Sequence, residues 1–105
     1  MRGQDILAVA RPHIGERYIL GAAAPYRNAS WRGPWDCAEF ATWCTFQTYG
    51  FLFGCDAAGT AGSAYTGQWK TDAQQRGTLI GTSEAARIPG AFLLRYHPAA
   101  VGSAT

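Results

Sequence analysis

The residue best placed to do chemistry is Cys37. A loop-forming run, Asn28-Ala29-Ser30-Trp31-Arg32-Gly33-Pro34, precedes it, and a helix-compatible stretch follows it to about Tyr49. Asp36 suits the N-cap of that helix, because its carboxylate can accept from the unpaired N–H groups of the first turn. Cys37 then falls at a helix N-terminus, where free amides and the macrodipole favour thiolate over thiol. That makes it a candidate nucleophile; the competing reading is a buried small residue, as free cysteines usually are. Cys44 is two turns further on and reads as a core thiol. Cys55 follows Gly54 in a loop and is free to pair with Cys44 or not.

The other reactive types are few. His13 and His97 are the only histidines, and with three cysteines they offer no pair at zinc-ligand spacing, so neither metal nor cofactor is expected. His13 falls near the end of a first helix and reads as a surface or capping side chain. Residues 54–64 are rich in small residues but lack the Gly-Lys-Ser/Thr ending of a phosphate-binding loop. Asn28-Ala29-Ser30 matches a glycosylation acceptor, a short pattern with no other support.

The elements that must position Cys37 follow from the pattern. Ile6, Leu7, Val9, Ala10 and Ile14 share one face of a helix over about 4–14, which Pro12 should kink or end early. Residues 15–21 form an aromatic and aliphatic patch between two glycines, and 22–34 a loop. The central helix runs from Cys37 to Gly50 with Phe40, Trp43, Cys44 and Gln47 or Thr48 as its buried stripe. A second helix spans about 65–76, residues 78–80 are a short strand candidate, and 82–87 carry a helix start signal. Residues 91–96 read as the clearest strand, and without a partner they would leave an edge prone to self-association or to a partner chain.

The 105 residues suit one domain. A formal charge of +2 with scattered Lys and Arg argues against nucleic acid as a partner. No apolar run reaches membrane-spanning length, and the N-terminus does not read as a secretion signal.

Taken together, Ile14-Gly15-x-x-Tyr18-x-x-Gly21, Asp36-Cys37 opening a helix, and Pro89-Gly90 opening a strand resemble the NlpC/P60 group of papain-like cysteine peptidases. The resemblance implies an α+β fold, with the nucleophile helix packed on a small antiparallel sheet that is incomplete here. It also implies hydrolysis of peptide or amide bonds in cell-wall peptides, and hence action outside the cytoplasm. Cys37 would be the nucleophile, Tyr18 an oxyanion or site-wall residue, and Asp36 and Glu39 substrate-binding residues. The family's Asp-Cys-Ser-Gly reads Asp36-Cys37-Ala38-Glu39, and its acidic residue after Pro-Gly is Ala91. Its histidine opens the strand after the Pro-Gly strand, so the catalytic base is expected beyond Thr105 and the chain is read as the N-terminal portion of the domain. His97 is the alternative base. Two rival readings stand beside this one: a non-catalytic binding module, and one chain of a two-chain enzyme.

Overall fold

The computed structural model describes residues 3–77 and 82–92. Helix α1 spans Gly3–Ala10 and passes into a 3-10 turn, Arg11–His13. Pro12 accounts for the change: it has no N–H to continue the α-helical ladder. The chain turns instead through Ile14 N to Arg11 O and Glu16 N to His13 O.

Helix α2, Cys37–Tyr49, is the central element. Asp36 sits at its N-cap in extended conformation, and its Oδ1 accepts from Ala38 N at 3.0 Å. Gly50 ends it in the left-handed conformation, φ 79°, with its N–H on Phe46 O. The predicted apolar stripe is only part of what α2 buries. Ala38, Glu39, Thr42, Trp43, Cys44, Thr45 and Thr48 are all buried, so polar side chains make up much of the hidden surface. Such groups must be hydrogen-bonded to be tolerated. Thr42 Oγ1 donates to Phe53 O at 2.8 Å and accepts from Trp69 Nε1, and Thr45 Oγ1 donates to Ala41 O. Thr48 Oγ1 has no partner among the described residues.

Helix α3, Thr66–Arg76, packs on this core through Trp69 and Asp72. Asp72 Oδ2 accepts from Gly54 N at 2.7 Å, which holds the loop after α2 against α3. Gly54 is obligatory there: its φ is +75°, and a Cβ would collide with the Trp69 indole. A short helix, α4, covers Thr82–Ala85.

The α+β expectation is overturned. Among the described residues the chain is helical, and its only β-type pairing is a single parallel bridge between Tyr18 and Trp35. That bridge rests on Ile19 N to Trp35 O, 2.9 Å, and Trp35 N to Arg17 O, 2.8 Å. It cannot grow into a sheet. Pro34 has no donor and its carbonyl takes the Trp31 indole, Asp36 already caps α2, and the Ile19 carbonyl accepts from Ala22. Pro89-Gly90 forms a turn whose backbone presses on Gly3, the described residues after it, Ala91 and Phe92, are not in a strand, and Phe92 packs against Trp69 at 4.8 Å. Residues 78–80 and 93–96, the remainder of the predicted strands, lie outside the described residues.

Glu39 is the deepest charged side chain, 1% exposed. Its Oε1 accepts from Ala24 N (2.8 Å) and Gly62 N (2.9 Å), and its Oε2 from Tyr26 Oη (2.6 Å) and Ala64 N (2.9 Å). Burial and this carboxylate push the Tyr26 phenol strongly upward, so it stays an O–H donor. Truncating Glu39 would remove the acceptor of three buried donors and of the Gly62 amide at once. Glu39→Ala is expected to lower unfolding free energy by about 3 kcal/mol or more in chemical denaturation. A loss below about 1 kcal/mol, typical of an unimportant surface change, would contradict this role.

Candidate active site around Cys37

Cys37 opens α2 with its side chain exposed, while its neighbours Asp36 and Ala38 are buried at 5% and 6% exposure. The first turn therefore faces inward on either side and presents only the thiol. Two hydrogen bonds fix that orientation. Asp36 caps the helix with Oδ1, and its Oδ2 accepts from Gly21 N at 2.8 Å, drawing the 15–21 segment onto the helix start.

The Tyr18–Trp35 bridge then brings Tyr18 to Cys37. Burial raises the Tyr18 phenol above its ordinary value of 10.0, and the charges of Cys37 and Asp36 and a hydrogen bond with the Cys37 thiol act in the same direction. A hydrogen bond with the Cys37 backbone N–H acts the other way. The Tyr18 side chain is thus near enough to the start of α2 to feel both Cys37 and Asp36. Tyr18 is itself 56% exposed and stands among Ile14, Ile19 and Leu20, which are 82%, 41% and 64% exposed, so this segment presents an apolar surface.

Gly33, just before this site, has φ +94°, and a Cβ there would come within 3.1 Å of the Trp35 ring. Only glycine lets the chain reach Trp35 in this way.

The two expected substrate contacts take a different part. Asp36 and Glu39 are buried and their carboxylate oxygens are occupied by intramolecular donors, which makes them anchors for loops. His97 lies outside the described residues. Cys44 and Cys55 are buried and unpaired with each other. Burial pushes the Cys44 thiol up to about 12, and burial with the nearby Asp56, Asp72 and Glu39 charges raises Cys55.

His13 is not a surface residue. Its side chain is 9% exposed, its Nδ1 lies 2.7 Å from Glu16 Oε1, and its ring meets Trp35, Phe40 and Trp43 edge-on at 5.5, 6.2 and 5.0 Å. Glu16 Oε1 also accepts from Trp35 Nε1 at 2.8 Å, and Arg32 approaches Oε2 at 3.7 Å. This cluster braces Trp35, and through it the Tyr18 bridge. Its sequence signal was the three-residue spacing of His13 and Glu16 across a turn. Glu39 had one as well: an acid three residues after an N-cap Asp reads as a capping box, although here it reaches other loops instead.

Among the described residues no group of three or more His, Cys, Asp or Glu could hold a metal ion, and no helix is long and apolar enough to cross a membrane. No protein-family model, characterised protein or solved structure matches the chain.

Two outcomes follow. Alkylation of the folded protein near neutral pH, followed by peptide mapping, should label Cys37 well ahead of Cys44 and Cys55; equal labelling of all three would remove Cys37's special standing. Glu16 supplies a pH dependence. Burial alone would raise its carboxyl, but hydrogen bonds from Trp35 and His13 and the charges of His13 and Arg32 outweigh this and hold it below 4.5. Its contribution to stability is therefore present above that ordinary value and is lost as pH falls through the depressed one. Thermal melts across this acid range should show a shallower decline for Glu16→Gln than for the parent chain, and parallel declines would refute the linkage.

Proposed function

We propose that Cys37 is the nucleophile of an acyl-transfer reaction that hydrolyses peptide or amide bonds, with cell-wall peptides as the substrate class. The observation that supports it is an exposed thiol at the capped N-terminus of α2, with Tyr18 brought beside it by the bridge to Trp35. The sulfur attacks the carbonyl carbon, the C–N bond breaks, and the amine leaves with a proton; water then cleaves the thioester and returns the thiol. During attack the carbonyl oxygen gains negative charge. In this reading the Cys37 N–H and the Tyr18 O–H would turn to that oxygen as donors. The substrate class rests on the motif resemblance to NlpC/P60 peptidases.

A second reading has its own observation. His13, the one histidine among the described residues, has Nδ1 at Glu16 and its ring enclosed by three aromatics. A chain whose histidine is so committed would serve as a module that binds such peptides without cutting them.

Incubation with purified cell-wall stem peptides, followed by mass spectrometry, tests both. The catalytic reading expects cleavage that Cys37→Ala abolishes and Tyr18→Phe lowers by about 10²-fold, as loss of one oxyanion donor does. Cleavage unchanged in Cys37→Ala would eliminate it. Saturable binding without cleavage would favour the module.

A further inference from the structure

At the opposite end of α2 from Cys37 lies a cleft of about 530 Å³ between the helix C-terminus, the loop that follows it and α3. Its volume is within the range of small-molecule sites. Phe46 and Leu52 line it together with the buried Cys55. From α3 come Gln68, Asp72 and Arg76, four residues apart and therefore on one helix face.

The charges in this cleft are not equivalent. Asp72 is already used: Oδ2 accepts from Gly54 N, Oδ1 accepts from Gln68 Nε2 at 2.9 Å, and Arg76 Nη1 lies 3.8 Å away. Asp56 is likewise used, with Oδ1 accepting from Thr60 N at 2.8 Å. The two guanidinium groups are held on aromatic faces. Arg27 stands 5.2 Å over the Phe46 ring, and no carboxylate among the described residues forms an ion pair with it. Arg76 stands 5.1 Å over Phe53 and 5.7 Å over Phe51, and Nη2 donates to Leu52 O at 3.0 Å. Stacking fixes the plane of a guanidinium and leaves N–H edges for an acceptor, with a geometry suited to a carboxylate. The acids of the cleft are satisfied from within, while Arg27 is not.

We propose that this cleft binds a small organic carboxylate, with the carboxylate on Arg27 and the apolar body on Phe46 and Leu52. The site is separate from Cys37 and does not depend on chemistry there. A free acid and the C-terminal carboxylate of a peptide share this chemistry.

The test is amide NMR on the full chain, following Gly50, Ala57 and the Gln68 side-chain amide. Three probes are titrated: phenylacetate, its neutral isostere phenylacetamide, and N-acetyl-phenylalanyl-phenylalanine as the peptide form. Phenylacetate should give saturable shifts at all three positions. Phenylacetamide should bind at least about tenfold more weakly, as loss of a charge-assisted hydrogen bond predicts. Arg27→Gln should weaken phenylacetate by a similar factor while leaving distant resonances unmoved, which also reports that the variant is folded. Tighter binding of the dipeptide than of phenylacetate assigns the site to peptide C-termini, and the reverse assigns it to free acids. Equal affinity for acid and amide, unchanged affinity in Arg27→Gln, or shifts that stay linear to the solubility limit would each overturn the proposal.

Discussion

A buried carboxylate organises this chain. Glu39 lies two residues beyond Cys37 and collects donors from residues 24–26 on one side and 62–64 on the other. No cation is among these partners; three amides and a phenol satisfy it. An ion kept from water must be almost fully hydrogen-bonded, since its desolvation costs several kcal/mol. This demand is local but its effect is long-range. Two irregular segments, each with little regular structure of its own, are held to one turn of one helix. With Glu39 and Ala38 turned inward and Asp36 tied to Gly21, the exposed side chain of that turn is Cys37.

The site is built from the same economy of few contacts. Tyr18 belongs to no strand of any length. It reaches Cys37 because two backbone hydrogen bonds hold Arg17 and Ile19 to Trp35, and because Trp35 is braced by Glu16 and His13. The chain of contacts from His13 through Glu16 and Trp35 to Tyr18 is continuous. At the far end of α2 a different principle operates. Arginines lie on aromatic faces and the acids accept from amides, which leaves Arg27 as the cation of the cleft with no ion-pair partner among the described residues.

What could be read from sequence divides along physical lines. The bounds of α2 were legible because both ends use strong local signals: an Asp that accepts from first-turn amides, and a Gly able to take positive φ. The early end of α1 followed from Pro12, and α3 was anticipated within a residue. Among the described residues no sheet forms. Phe92 is used against Trp69, and the only extended pairing among these residues is stopped by Pro34 and Asp36. Composition reports what a segment tolerates; pairing partners decide what it does. Glu39 and His13 lie deeper than a sequence reading expects for a related reason. Polar residues are expected at the surface, and only the donors around Glu39 and the aromatic rings around His13 show that they face inward.

The central claim is that Cys37, supported by Tyr18, accepts an acyl group. An activated ester tests this most directly, because its leaving group needs no proton and the result does not depend on which residue acts as base. The folded chain would be treated briefly with p-nitrophenyl acetate and examined by intact-mass and peptide mass spectrometry. The account predicts a single acetyl adduct on Cys37 that is absent in Cys37→Ala, forms more slowly in Tyr18→Phe, and is unaffected by Cys55→Ser. Acetylation spread over lysines and tyrosines, or an adduct that persists in Cys37→Ala, would contradict it.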